Sequence, residues 1–162
     1  MKEKIVNKYT YDGLGFPIVL VNAPMKQVFG EWTLNIDLNH LQQSALRALV
    51  HKPVPLNGKE LRFIRKYLEM TVSTFGKLLG VSHAAVLKWE NDQANINPAT
   101  ETYIRLYVMD RLHAKDKEFR RFYHEISIEN LVRQRKDRST SCPLEIDAMI
   151  NHQHAKQKNR FL

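Results

Sequence analysis

The spacing of apolar residues changes along the chain and divides it into three. Residues 1–52 begin with a strand-like region. Phe16-Pro-Ile-Val-Leu-Val-Asn22 is a β-branched run bounded by Gly15 and by Asn22-Ala-Pro24. Met25 to Phe29 predicts a second strand, with Gly30-Glu31 as a turn. The spacing then lengthens. Apolar residues at 38, 41, 45, 46, 49 and 50 predict an amphipathic helix over Leu38 to Val50 with one buried face. Pro53 and Pro55 end it and make a stiff joint.

Residues 56–113 read as densely helical. Asn57 followed by Glu60 predicts a capping box, in which each side chain satisfies an orphan backbone N–H of the other's residue. Leu61, Ile64, Arg65 and Leu68 then share a face. Thr71 caps a second helix, with Phe75, Leu78 and Leu79 inward, and Gly80 ends it where a positive φ is needed. Ser82 caps a third helix. Asn97-Pro98 starts a fourth, which Tyr103, Leu106, Tyr107 and Met109-Asp-Arg-Leu112 carry to about residue 113.

Residues 114–162 are mixed. Lys117 to Tyr123 predicts a short helix packing Phe119, Phe122 and Tyr123, and Ile128 to Arg135 is a candidate for another. Arg133-Gln-Arg-Lys-Asp-Arg138 is a basic run, read as a solvated face or as a strip along a polyanion. Charge sharpens this picture. The formal net charge is +8, and Lys and Arg exceed Asp and Glu by 2, 2 and 4 in residues 1–55, 56–112 and 113–162. The basic balance favours polyanionic partners.

Residues 72–91 carry the most specific signal. A helix-turn-helix needs two short helices, a tight turn with a small residue, an apolar inner face on the second helix, and small or polar residues facing out near its start. Gly80 permits the turn, and Val81, Val86 and Trp89 supply the inner face. His83, Ala84, Leu87 and Lys88 project outward as candidate base contacts. Ala84 allows close approach, Leu87 suits a thymine methyl, and Lys88 suits guanine O6/N7 or a phosphate. Ser82 at the helix N-terminus offers donors to phosphate.

The stretch "LRFIRKYLEMTVSTFGKLLGVSHAAVLKWEN" resembles the Cro/lambda-repressor type of helix-turn-helix, the XRE family, most clearly at Gly80-Val81-Ser82, Val86 and Trp89-Glu90-Asn91. The resemblance covers roughly residues 56–113. It implies base contacts from His83, Ala84 and Lys88 and phosphate contacts from Ser82 and Asn91. The family commonly has Gln near the start of the preceding helix; Val72 stands there, with Ser73 or Thr74 as substitutes for that phosphate anchor. The front half, "FPIVLVNAPMKQVFGEW", is similar to the MqsA family of bacterial antitoxins, whose N-terminal zinc domain carries a Cys-x-x-Cys-Gly-Glu motif. Gly30-Glu31 remains, while Lys26 and Phe29 occupy the cysteine places, so a metal-free relative is implied, with Phe29 packing where zinc once organised the domain.

The expected fold is therefore mainly α. It comprises a small β-containing N-terminal subdomain (1–52), a five-helix XRE-type domain (56–113) and a helical, basic C-terminal extension (114–162). The expected function is sequence-specific binding of double-stranded DNA at a palindromic operator by a homodimer, with autorepression and a cognate toxin as partner. The alternative is a protein-interaction module on the same scaffold. No enzyme and no cofactor are expected. There is no Gly-rich phosphate loop and no Ser/His/Asp pattern, and Glu31 and Asp37 are the only near carboxylates of the front segment. Cys142 stands alone, and His152-Gln-His154 with His113 and His124 lacks a metal-ligand spacing. The charged start Met1-Lys-Glu-Lys and the lack of any apolar run near ~18 residues predict a cytoplasmic protein without membrane partners.

Overall fold

A computed structural model of the chain describes residues 2–127, 129, 131–132 and 144–149. These residues form a mixed α and β fold, mainly helical, with a four-stranded sheet towards the N-terminus and six helices. The chain groups into two compact units. The first holds the described residues of Met1–Ala48 and Pro143–Leu162, the second those of Leu49–Cys142.

The sheet of the first unit is organised by one long strand. β1 (Glu3–Tyr11) runs antiparallel to β2 (Ile18–Val28). On the other edge of β2, β3 (Glu31–Leu34) pairs antiparallel from Met25 to Val28, and β4 (Glu145–Asp147) pairs parallel with Val19 to Val21. Two expectations are corrected here. The two strands expected on either side of Asn22-Ala-Pro24 are a single strand, and part of the C-terminal extension belongs to the sheet. Pro24 is tolerated because its missing N–H falls in the gap between β4, whose pairing stops at Val21, and β3, whose pairing starts at Met25. The Pro24 carbonyl faces the same gap and accepts from Asn35 N–H at 2.8 Å. Asn22 has φ 54°, and across it the buried positions change parity, from Ile18 and Leu20 to Ala23 and Met25.

The β2–β3 turn also differs from expectation. Phe29 and Gly30 form it with φ of 49° and 86°, the sign pattern of a two-residue type I′ hairpin, and Glu31 already belongs to β3. This backbone throws the Phe29 side chain entirely into solvent, so it does not pack inside the subdomain as expected. α1 (Leu38–Val50) starts at Asp37, whose carboxylate accepts from Asn39 and His40 N–H. Leu41, Ala45, Leu46, Leu49 and Val50 are buried, while Leu38 in the first turn is half exposed.

The second unit continues with α2 (Gly58–Tyr67), α3 (Val72–Leu79), α4 (His83–Glu90), α5 (Pro98–Arg111) and α6 (Asp116–Glu125). Its local signals act as the sequence predicts. Asn57 Oδ1 accepts from Glu60 N–H at 2.9 Å while Glu60 Oε2 accepts from Asn57 N–H at 3.0 Å. Thr71, Ser82 and Asn97 cap α3, α4 and α5, and Gly80 ends α3 at φ 68°. Leu61, Ile64, Phe75, Val86, Ile104 and Val108 are almost completely buried. Around the proline joint, the fully buried Arg105 donates to the carbonyls of Val50, Lys52 and Val54, and Glu101 accepts from Leu56 N–H at 2.8 Å. The joint is thus stiffened by α5 as well as by its prolines.

In α6, Phe122 is buried and Phe119 partly so, but Tyr123 is 65% exposed and does not pack inward as expected. Of the helix expected over 128–135, Glu129, Leu131 and Val132 are helical. The basic run 133–138, Cys142, His152 and His154 lie outside the described residues. No helix among the described residues is long and apolar enough to cross a membrane.

Candidate nucleic-acid interface

The candidate site is built by α3, the turn after it, and α4. Thr71 accepts from Thr74 N–H at 3.1 Å and starts α3. Gly80 turns the chain, and Val81 N–H donates back to Gly76 O at 2.9 Å. The turn demands two glycines. Gly80 supplies the left-handed conformation, and a Cβ on Gly76 would stand 2.8 Å from the Val81 carbonyl oxygen. The sequence reading named Gly80 and missed Gly76; its signal is a small residue inside an apolar helical stretch, one turn before the end. Ser82 Oγ then accepts from Ala85 N–H at 3.1 Å and sets the first residue of α4 at His83.

α4 has two unlike sides. Val86 is fully buried, and Trp89 and Glu90 nearly so. His83, Ala84, Leu87 and Lys88 are exposed, as the sequence predicts for the outward side. Ser73, Thr74, Ser82 and Asn91 are exposed too, but each already has an internal partner. Ser73 Oγ is 3.1 Å from His83 Nδ1, and Thr74 Oγ1 accepts from Thr71 Oγ1 at 2.9 Å. Asn91 Oδ1 accepts from Arg62 Nη2 at 3.2 Å, and Ser82 caps α4.

The C-terminal end of α4 is clamped to α2, a feature the sequence reading did not find. Glu90 accepts from Arg65 Nε at 2.5 Å and Nη2 at 3.2 Å, and from Arg62 Nε at 3.4 Å. Arg65 Nη1 also donates to the Met70 carbonyl at 2.9 Å, so one guanidinium holds both α4 and the α2–α3 connection. Gly58 lies so close to the end of α4 that a Cβ there would be 2.6 Å from Trp89 O, and its N–H donates to Asp92 Oδ1 at 2.8 Å. The pairing of buried Glu90 with two guanidiniums offsets the cost of its burial, and the same pairing ties the end of α4 to α2.

The charge balance of this unit changes once burial is known. Arg65 and Arg105 are buried in internal contacts. Lys59, Lys66, Lys77, Lys88 and Arg111 remain exposed on α2 to α5, as do Lys115, Lys117, Arg120 and Arg121 at the start of and along α6, so the exposed cations are spread over the helices of the unit rather than gathered at the candidate site. Among the described residues, no three His, Cys, Asp or Glu side chains gather as a metal site would require. Lys26 pairs with Thr33 in the sheet, and Phe29 stands at the exposed hairpin tip. The arrangement is a helix buried along one side and tied at its end to α2, with an exposed side of small, apolar and basic residues. The chain matches no protein-family model, no curated protein and no solved structure.

Proposed function

We propose that residues 56–113 are an XRE-type helix-turn-helix domain that binds double-stranded DNA with α4 in the major groove. The protein acts as a homodimeric, antitoxin-like repressor of its own operon. The observation that carries this reading is the exposed row His83, Ala84, Leu87 and Lys88 on a helix whose opposite side is buried and whose end is clamped by Arg65 and Glu90. Small residues let the helix axis approach the base edges, and Lys88 supplies a donor. Two such helices in a dimer, about 34 Å apart, read a palindromic site.

The test is fluorescence anisotropy on a duplex from the gene's own upstream region and on a scrambled duplex, titrated with salt. The expected result is tight binding to the native duplex alone, weakening steeply with salt as phosphates regain their counterions. A second reading, a protein-interaction module that holds a toxin, is favoured by Ile5, Phe29 and Trp32, which are exposed on the first unit. Equal, weak binding to both duplexes would favour that reading and sink the first.

A further inference from the structure

The hydrogen bond between Ser73 and His83 joins the two helices of the candidate site on their exposed side. Ser73 Oγ lies 3.1 Å from Nδ1 of the first residue of α4. A histidine on a helix N-terminus is otherwise free to turn about two bonds. Here one ring nitrogen is occupied within the protein, and Nε2 on the far side of the ring is left for a ligand. We propose that Ser73 is a positioning residue: its hydroxyl donates to Nδ1, holds the His83 ring, and leaves Nε2–H as a hydrogen-bond donor that reads a base. This rests on the DNA-binding reading above and changes the part of Ser73 from a phosphate anchor to a residue that acts through its neighbour.

The chemistry selects the base. In a neutral ring whose Nδ1 accepts from a hydroxyl, the hydrogen is on Nε2. In the doubly protonated ring Nδ1–H donates to Ser73 Oγ and Nε2–H is again a donor. Both states carry the same outward donor; a neutral ring whose Nδ1–H donates to Ser73 Oγ would instead make Nε2 an acceptor, and ring shifts showing that tautomer overturn the inference. In the major groove guanine presents two acceptors, N7 and O6, whereas cytosine presents the N4 amino group, also a donor. With Nε2–H outward, His83 favours guanine and rejects cytosine at its position in each half-site. The surroundings permit a clean test. Ser73 is exposed in the first turn of α3 and does not cap it, since Thr71 does, so Ser73→Ala leaves the helix intact.

Duplexes selected from a random pool by wild type, Ser73→Ala, Ser73→Thr and His83→Ala provide the measurement, with ring 15N shifts of the free protein beside it. Wild type is expected to select a consensus with guanine at one position. Ser73→Ala should lose about fivefold of the preference there alone, the position that His83→Ala also loses, and Ser73→Thr should restore it. The ring shifts should show Nε2–H in wild type and a mixture of tautomers in Ser73→Ala. A wild-type consensus that Ser73→Ala keeps unchanged, or that it weakens equally for all sequences, overturns this inference and leaves the DNA-binding reading standing. No consensus from wild type overturns both.

Discussion

Glu90 is a charge nine-tenths or more removed from water, and what it does depends on Arg65. With Arg65 and Arg62 in place, its two oxygens are satisfied and α4 is held to α2. Removing one side of such a pair leaves the other buried without compensation. Arg65→Met is expected to cost about 3 kcal/mol in urea unfolding, and Arg65→Met with Glu90→Met together less than the sum of the two single losses. Lys88 sits on the opposite side of the same helix, exposed and without a fold role, so it separates function from stability. Lys88→Ala should leave the urea midpoint unchanged and weaken specific DNA binding by roughly 1–3 kcal/mol; a uniform loss over all sequences would make it a phosphate contact instead. His51 offers a third residue-level check. Burial holds its pKa below the ordinary 6.5, Arg121 pushes it further down, and Glu125, 3.5 Å from Nδ1, opposes them. The unfolded chain takes up that proton near 6.5 and the folded protein only at lower pH. The His51 contribution is therefore complete above about pH 6.5 and is lost as pH falls through the folded pKa. Urea melts of wild type and His51→Gln between pH 5 and 8 should show a steeper acid-side loss in wild type.

At the scale of elements, the helices of the second unit were legible because their boundaries are set by local chemistry. Asn57 with Glu60, Thr71, Ser82 and Asn97-Pro98 each satisfy orphan N–H groups within a few residues, so their spacing can be read without knowing the fold. The strands were not legible in the same way. β1 is polar and largely exposed on both faces, so no alternation of buried and exposed positions marks it, and it exists because β2 offers it a hydrogen-bonding edge. β2 hides its continuity behind Asn22 and Pro24, a left-handed residue and an imino acid that read as an interruption. The α3–α4 turn lies between these cases. Gly80 was visible as a helix stop, while the need for Gly76 comes from the Val81 carbonyl that the turn brings over it. Gly76→Ala is accordingly expected to destabilise the protein by about 1–3 kcal/mol through overpacking, seen as a lower urea midpoint, although alanine is the better helix former.

For the whole molecule, the residue pattern by itself determined the helical character of residues 58–111, the caps, the turn at Gly80 and the outward row His83, Ala84, Leu87 and Lys88. These follow from helical periodicity and from hydrogen bonds between near neighbours, both of which are written locally. Tertiary structure alone decided three further matters. It brought β4 from the far end of the chain to β2, set Arg105 on the carbonyls of the proline joint, and joined Arg65 to Glu90 across 25 residues. Each of these depends on groups distant in sequence meeting where water is displaced or a sheet edge is open. A charged residue on a helix has the same local pattern whether it ends in water or in a buried pair, and only the packing of the other helices distinguishes the two.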